Sequence, residues 1–130
     1  MKIVNPATEE TIREIAEDES VSLSHKLIKL KKAQAEWVRQ PLEKRIQILQ
    51  QYSILLERDI EVLAHTLTEE VGKPLQQSRN EINGSRSRIA WLTANAQRYL
   101  SDETMHEDAA IKEIIRYEPL GIICNISAWN

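Results

Sequence analysis

The sequence predicts an α/β fold that is mostly helix, with a β-hairpin at the N-terminus, a strand pair at the C-terminus and an incomplete sheet. Three observations carry this prediction. Apolar residues recur at three- and four-residue steps from Leu23 to Tyr99, the period of amphipathic helices. The two ends of the chain switch to short β-prone runs. The run Ile122 to Ser127, "IICNIS", is apolar apart from Asn125 and Ser127. Such a run reads as a strand buried on both faces of a parallel sheet. Parallel neighbours need long crossover connections, and no second run of this kind is present to pair with it.

At the N-terminus, Ile3-Val4 and Thr11 to Ile15 are β-prone, and Asn5-Pro6 opens the turn between them. Both strands are too short to stand alone. The first helix follows the acidic run Glu17, Asp18, Glu19, where negative charge favours a helix N-terminus. Its face is Leu23, Leu27, Leu30, Gln34 and Trp37, and Gln40-Pro41 ends it. Leu42, Ile46, Leu49 and Leu56 mark a second helix. A break near Arg58-Asp59 precedes a third, marked by Ile60, Leu63, Leu67 and Val71.

"GKP" at 72–74 stops one helix and starts another. Gly72 suits a left-handed C-cap, and Pro74 the first turn of the next helix. It lacks the second glycine and the Ser or Thr of a P-loop. Leu75, Ile82, Ile89 and Ala96, with Leu92 and Tyr99, extend the fourth helix to about Leu100. Gly84 in its middle costs about 1 kcal/mol relative to alanine, so it is expected to mark a close helix crossing. Ile111, Ile114, Ile115 and Tyr117 then read as a strand, and "EPLG" (118–121) as a type I turn leading into 122–127.

Bulk composition narrows the class. A length of 130 residues fits one domain. The net charge of −3 argues against a broad cationic nucleic-acid surface. The cluster Lys26, Lys29, Lys31, Lys32 reads as the solvated face of a helix. No run reaches the length of a membrane span, and the first residues lack the apolar core of a signal peptide. A cytoplasmic protein is expected, and the single Cys124 excludes an internal disulfide.

Local chemistry is sparse. His25, His65 and His106 lie in three separate elements without metal-ligand spacing, so no metal is expected. Cys124, inside the apolar run, reads as a packing residue. The remaining candidate is "SAWN". The first residues after a buried strand sit at the carboxyl edge of a sheet, where open α/β folds bind ligands. An asparagine there can donate a neutral N–H to an oxyanion.

Together, "VNPATEE", "AEW" (35–37), "GKP", the following Glu81, "EPLG" and "ISAWN" occur in the order and at the spacings of one family. The chain resembles the NAD(P)-dependent aldehyde dehydrogenase superfamily over essentially all of its length. The resemblance implies that residues 1–130 are an incomplete N-terminal portion of a cofactor-binding domain, with bridging strands near 111–118 through which subunits pair. It implies that Asn130 is the catalytic oxyanion donor and that Ile126, Ser127, Ala128 and Trp129 line the dinucleotide site. Ala128 stands where many members have proline, which frees φ and adds an N–H.

The implied activity is oxidation of an aldehyde to a carboxylic acid with NAD or NADP. A cysteine thiolate adds to the aldehyde, hydride passes to the nicotinamide, and a glutamate-activated water releases the acid. In the family those groups follow the asparagine motif, and Cys124 precedes it. The lone chain is therefore expected to be inactive and to bind no dinucleotide, whereas a full-length form is expected to be a homo-oligomer. The alternative is a non-catalytic helical assembly module that pairs with itself or with an intact dehydrogenase subunit.

Overall fold

A computed structural model describes residues 1–127. In chain order the elements are β1 (Lys2–Val4), β2 (Thr11–Glu14), α1 (Ser20–Val38), α2 (Leu42–Arg58), α3 (Ile60–Val71), α4 (Leu75–Leu100), β3 (Glu103–Glu107) and β4 (Lys112–Ile115). The strands form two separate antiparallel pairs, β1 with β2 and β3 with β4. The helix-rich architecture, the N-terminal hairpin and the strand pair near the C-terminus match the sequence reading, and no closed sheet forms among the described residues.

Helix ends lie where local chemistry puts them. Glu19 precedes α1 in extended conformation, and Pro41 separates α1 from α2. Asp59 is the single residue between α2 and α3, and Arg58 grips its carboxylate through Nε at 2.8 Å and Nη2 at 2.7 Å. Gly72 caps α3 at φ +76°, in the left-handed region, and its N–H bonds to the Thr68 carbonyl at 2.8 Å. A Cβ placed on Gly72 would meet Cγ of Pro6 at 2.7 Å. The same glycine therefore turns the chain between α3 and α4 and lets the N-terminal hairpin approach that turn.

α4 is the central element, packed along α2 and α3. The α3–α4 seam is partly polar. Ser78 is fully buried, and its hydroxyl lies 2.8 Å from that of Thr68. Ala64 and Ile82 are the buried apolar residues among those described. At the rim, Arg79 holds Glu61 with two bonds of 2.9 and 2.7 Å, and Lys73 pairs with Glu81. Arg86 reaches from α4 to Glu57 of α2 at 2.7 Å. α1 packs sparsely on the other elements, and its predicted face stays half-open, with Leu23, Leu27, Leu30 and Trp37 all exposed.

Four expectations are corrected. Residues 122–127 form no strand: Ile123 is 74% exposed and Ile126 93% exposed. A strand needs a neighbour to take its N–H and C=O groups, and none pairs with this run among the described residues. The partner of β4 is β3, whose sequence "ETMHE" is polar and was not read as a strand. No backbone hydrogen bond closes Glu118–Gly121, although Gly121 takes φ +91°. Gly84 has open space where its Cβ would be, so it marks no close crossing.

Candidate functional site

Of the residues expected to form the site, Ala128, Trp129 and Asn130 lie outside the described residues. Ile126 is exposed, and the Ser127 hydroxyl donates to Oδ1 of Asn125 at 2.6 Å. Cys124 is a free, exposed thiol, which corrects its reading as a packed core residue. Its neighbours supply no strand ladder to bury it. Residues 122–127 are exposed along their whole length.

No group of three or more His, Cys, Asp or Glu suited to a metal ion occurs among the described residues. His106 lies 3.1 Å from Asp108, within the β3–β4 turn. That turn is built on Asp108, whose Oδ1 accepts from the N–H groups of Ala110 at 2.7 Å and Ile111 at 2.8 Å. These backbone donors, with His106, hold the Asp108 carboxyl below the usual carboxylate range. An aspartate bonding the backbone two residues on is a turn signal, and it could have placed the hairpin from sequence. Across the same hairpin, Arg116 grips Asp102 at 3.1 and 3.0 Å, and the Tyr117 hydroxyl donates to Glu103 at 2.6 Å. Both partners stabilise the protonated forms, raising Arg116 and Tyr117.

A concavity lies elsewhere, between α2 and α4 beneath the end of α1. It is a cleft of about 340 Å³ whose walls include Trp37, Leu42, Leu49, Trp91, Leu92 and Tyr99. Trp91 and Tyr99 stack with centroids 6.0 Å apart. Arg45 is the one cationic side chain in its wall, and it also lines a second cleft that runs toward Arg116 and Glu118. The Arg45 Nε is buried and has no hydrogen-bond partner. Sequence spacing marked Leu42, Ile46 and Leu49 as part of the second helix but gave no reason to single out Arg45. The "RSRIAWL" stretch (86–92) faces α2, with Arg86 on Glu57 and Trp91 and Leu92 in the cleft.

Comparison with known proteins places the chain. The pattern of the aldehyde dehydrogenase family matches residues 1–130, and the chain belongs to that family. It is 28% identical over 128 residues to a 3-sulfolactaldehyde dehydrogenase of Pseudomonas putida, covering 98% of this chain and 26% of the relative. It is 34% identical to a probable aldehyde dehydrogenase of a Pseudomonas species, covering 100% and 26%. Among solved structures it resembles the NADP-dependent glyceraldehyde-3-phosphate dehydrogenase of Bacillus halodurans, complexed with NADP. That match has a TM-score of 0.77 at 25% identity and covers 81% of this chain and 22% of that one. The chain thus spans about a quarter of the length of the relatives it matches.

Proposed function

We propose that residues 1–130 form the leading portion of the cofactor-binding domain of an NAD(P)-dependent aldehyde dehydrogenase. The reaction is oxidation of an aldehyde to a carboxylic acid. The observation that carries this reading is the family match across residues 1–130, which ends on the "ISAWN" motif. Asn130 is assigned the oxyanion role: its side-chain N–H₂ donates to the aldehyde oxygen as that oxygen gains negative charge. Ile126, Ser127, Ala128 and Trp129 are assigned to the wall of the dinucleotide site, and residues 111–118 to subunit pairing. NAD or NADP belongs to the assembled enzyme, where it accepts hydride. The chain alone is assigned neither a bound dinucleotide nor turnover.

Two measurements test this. The purified 130-residue chain is expected to give no aldehyde-dependent NAD(P)H production, and measurable production overturns that half of the reading. The second uses a chimera of residues 1–130 with the part of the Pseudomonas putida dehydrogenase that lies beyond its matched stretch. In this chimera Asn130→Ala should lower kcat by about 10²–10³. An unchanged kcat removes Asn130 from the chemistry.

One observation favours a second reading. Each two-stranded sheet leaves both its strands with a free edge, and free edges pair with other chains. On this reading the chain is an assembly module that pairs with itself or with an intact dehydrogenase subunit. A monodisperse monomer in sedimentation, without binding to a full-length dehydrogenase, counts against it.

A further inference from the structure

We infer that Asn83 is a self-modification site. Its side-chain amide is lost by cyclisation onto the backbone nitrogen of Gly84, and the isoaspartate that results divides α4 into two separately packed halves. None of the residues involved is used by the dehydrogenase reading above.

Three observations meet at this point. First, Asn83 is followed by the residue that has no side chain to shield its own nitrogen. Gly84 has open space where its Cβ would be, and both residues are exposed. Second, α4 is locally weak here. Glycine is a poor helix former, and the hydroxyls of Ser85 and Ser87 donate to the carbonyls of Glu81 at 3.1 Å and Asn83 at 3.0 Å. Such bonding to the carbonyl four residues earlier loosens a helix. Third, the site lies where α4 passes from one packing partner to the other. On its N-terminal side, Ser78 and Arg79 meet Thr68 and Glu61 of α3. On its C-terminal side, Arg86 holds Glu57 of α2 at 2.7 Å. Arg86 also donates through Nη1 to Oδ1 of Asn83 at 3.0 Å.

In the closed helix the Gly84 N–H is held by the carbonyl of Asn80, one turn earlier. The reaction therefore runs through a local opening of α4. There the Gly84 nitrogen gives its proton to solvent and attacks Cγ of Asn83. A C–N bond forms and closes a succinimide, and the side-chain nitrogen takes a proton and leaves as ammonia. Water then opens the ring. Cleavage at Cγ gives aspartate on an unchanged backbone, with Arg86 already in place to pair with the new charge. Cleavage at the backbone carbonyl gives isoaspartate, whose side-chain carbon enters the main chain. The added carbon shifts the residues before Asn83 out of register with those after it. The contacts to α3 and to α2 then no longer fit one continuous helix.

Peptide mapping by mass spectrometry, on the 130-residue chain held at mildly alkaline pH, tests this. Asn83 should convert ahead of Asn80 and Asn95, which lie in the same helix but precede Glu81 and Ala96. Gly84→Ala should slow conversion at least about fourfold through the smaller open population alone. Urea below the unfolding midpoint should leave the rate nearly unchanged, because a local opening exposes little surface. The isolated isoaspartate form should unfold at a lower urea midpoint, whereas Asn83→Asp should keep the parent midpoint. Conversion of Asn83 no faster than that of Asn80 and Asn95 overturns the proposal, as does an unchanged rate in Gly84→Ala. A rate that climbs steeply with urea assigns the reaction to global unfolding and overturns the local opening. An isoaspartate form with the parent midpoint, or an equal drop in Asn83→Asp, overturns the division of α4.

Discussion

Gly72 and Gly84 carry opposite expectations, although both are glycines beside or within a helix. Gly72 sits at φ +76° with Pro6 against the space its Cβ would occupy. Left-handed backbone costs a non-glycine residue about 1–2 kcal/mol, and the rigid proline ring adds to that. Gly72→Ala should lower the urea midpoint by at least that equivalent, and an unchanged midpoint would remove the clash from the account. Gly84 has nothing within 4 Å of its missing Cβ and normal helical backbone. Gly84→Ala should therefore raise stability by about 0.5–1 kcal/mol. A drop would restore the close crossing that the sequence pattern led one to expect. The helical pattern at 75–100 showed that Gly84 is internal to a helix, but not whether a neighbour lies over it.

At the scale of elements, the β3–β4 hairpin is held by its turn and its ion pairs more than by apolar contact. Both strands are exposed along their whole length. Asp108 is central because its carboxylate accepts two backbone N–H groups that would otherwise be open to solvent. Those bonds favour the ionised form, so the folded carboxyl titrates lower than in the unfolded chain. The stabilisation is thus fully present at neutral pH and is lost as pH falls below about 4, through the folded value. Glu61 follows the same sign through Arg79. The protection factors of the Asp108, Ala110 and Ile111 amides, each taken against the intrinsic exchange rate at the same pH, should fall on acidification, whereas Asp108→Asn, which keeps the acceptor oxygen, should flatten that dependence. Protection factors that do not change with acidification in the parent chain would rule this out.

β3 also marks a limit of sequence reading. Its residues carry no apolar alternation, so only the Asp108 turn could have announced it. The reverse holds at 122–127, where strong β propensity yields no strand because propensity does not supply a partner. Helix limits were legible for a different reason. Glu19, Pro41, Asp59 and Gly72 act within one turn of their own position.

For the whole molecule, the main fact is how little is buried. Ala64 and Ile82 are the buried apolar residues among those described, while Leu120 and Ile126 are 90% and 93% exposed. Large apolar surface of this kind binds amphiphilic dyes. The 130-residue chain should enhance ANS emission strongly at neutral pH, and the chimera should do so less per mole. Equal enhancement by the two would mean that the exposed faces stay open in the larger protein. No helix is long and apolar enough to cross a membrane among the described residues.

The sequence by itself determined the order and limits of the four helices, the N-terminal hairpin and membership of the aldehyde dehydrogenase family. These follow from caps, periods and short motifs that act over a few residues. Only the tertiary structure decided that β3 pairs with β4, that Cys124 and Gly84 stand open, and that Arg45 lies unpartnered beside an apolar cleft. Those outcomes depend on which surfaces meet. Burial belongs to a pair of surfaces, and a periodic pattern describes only one of them.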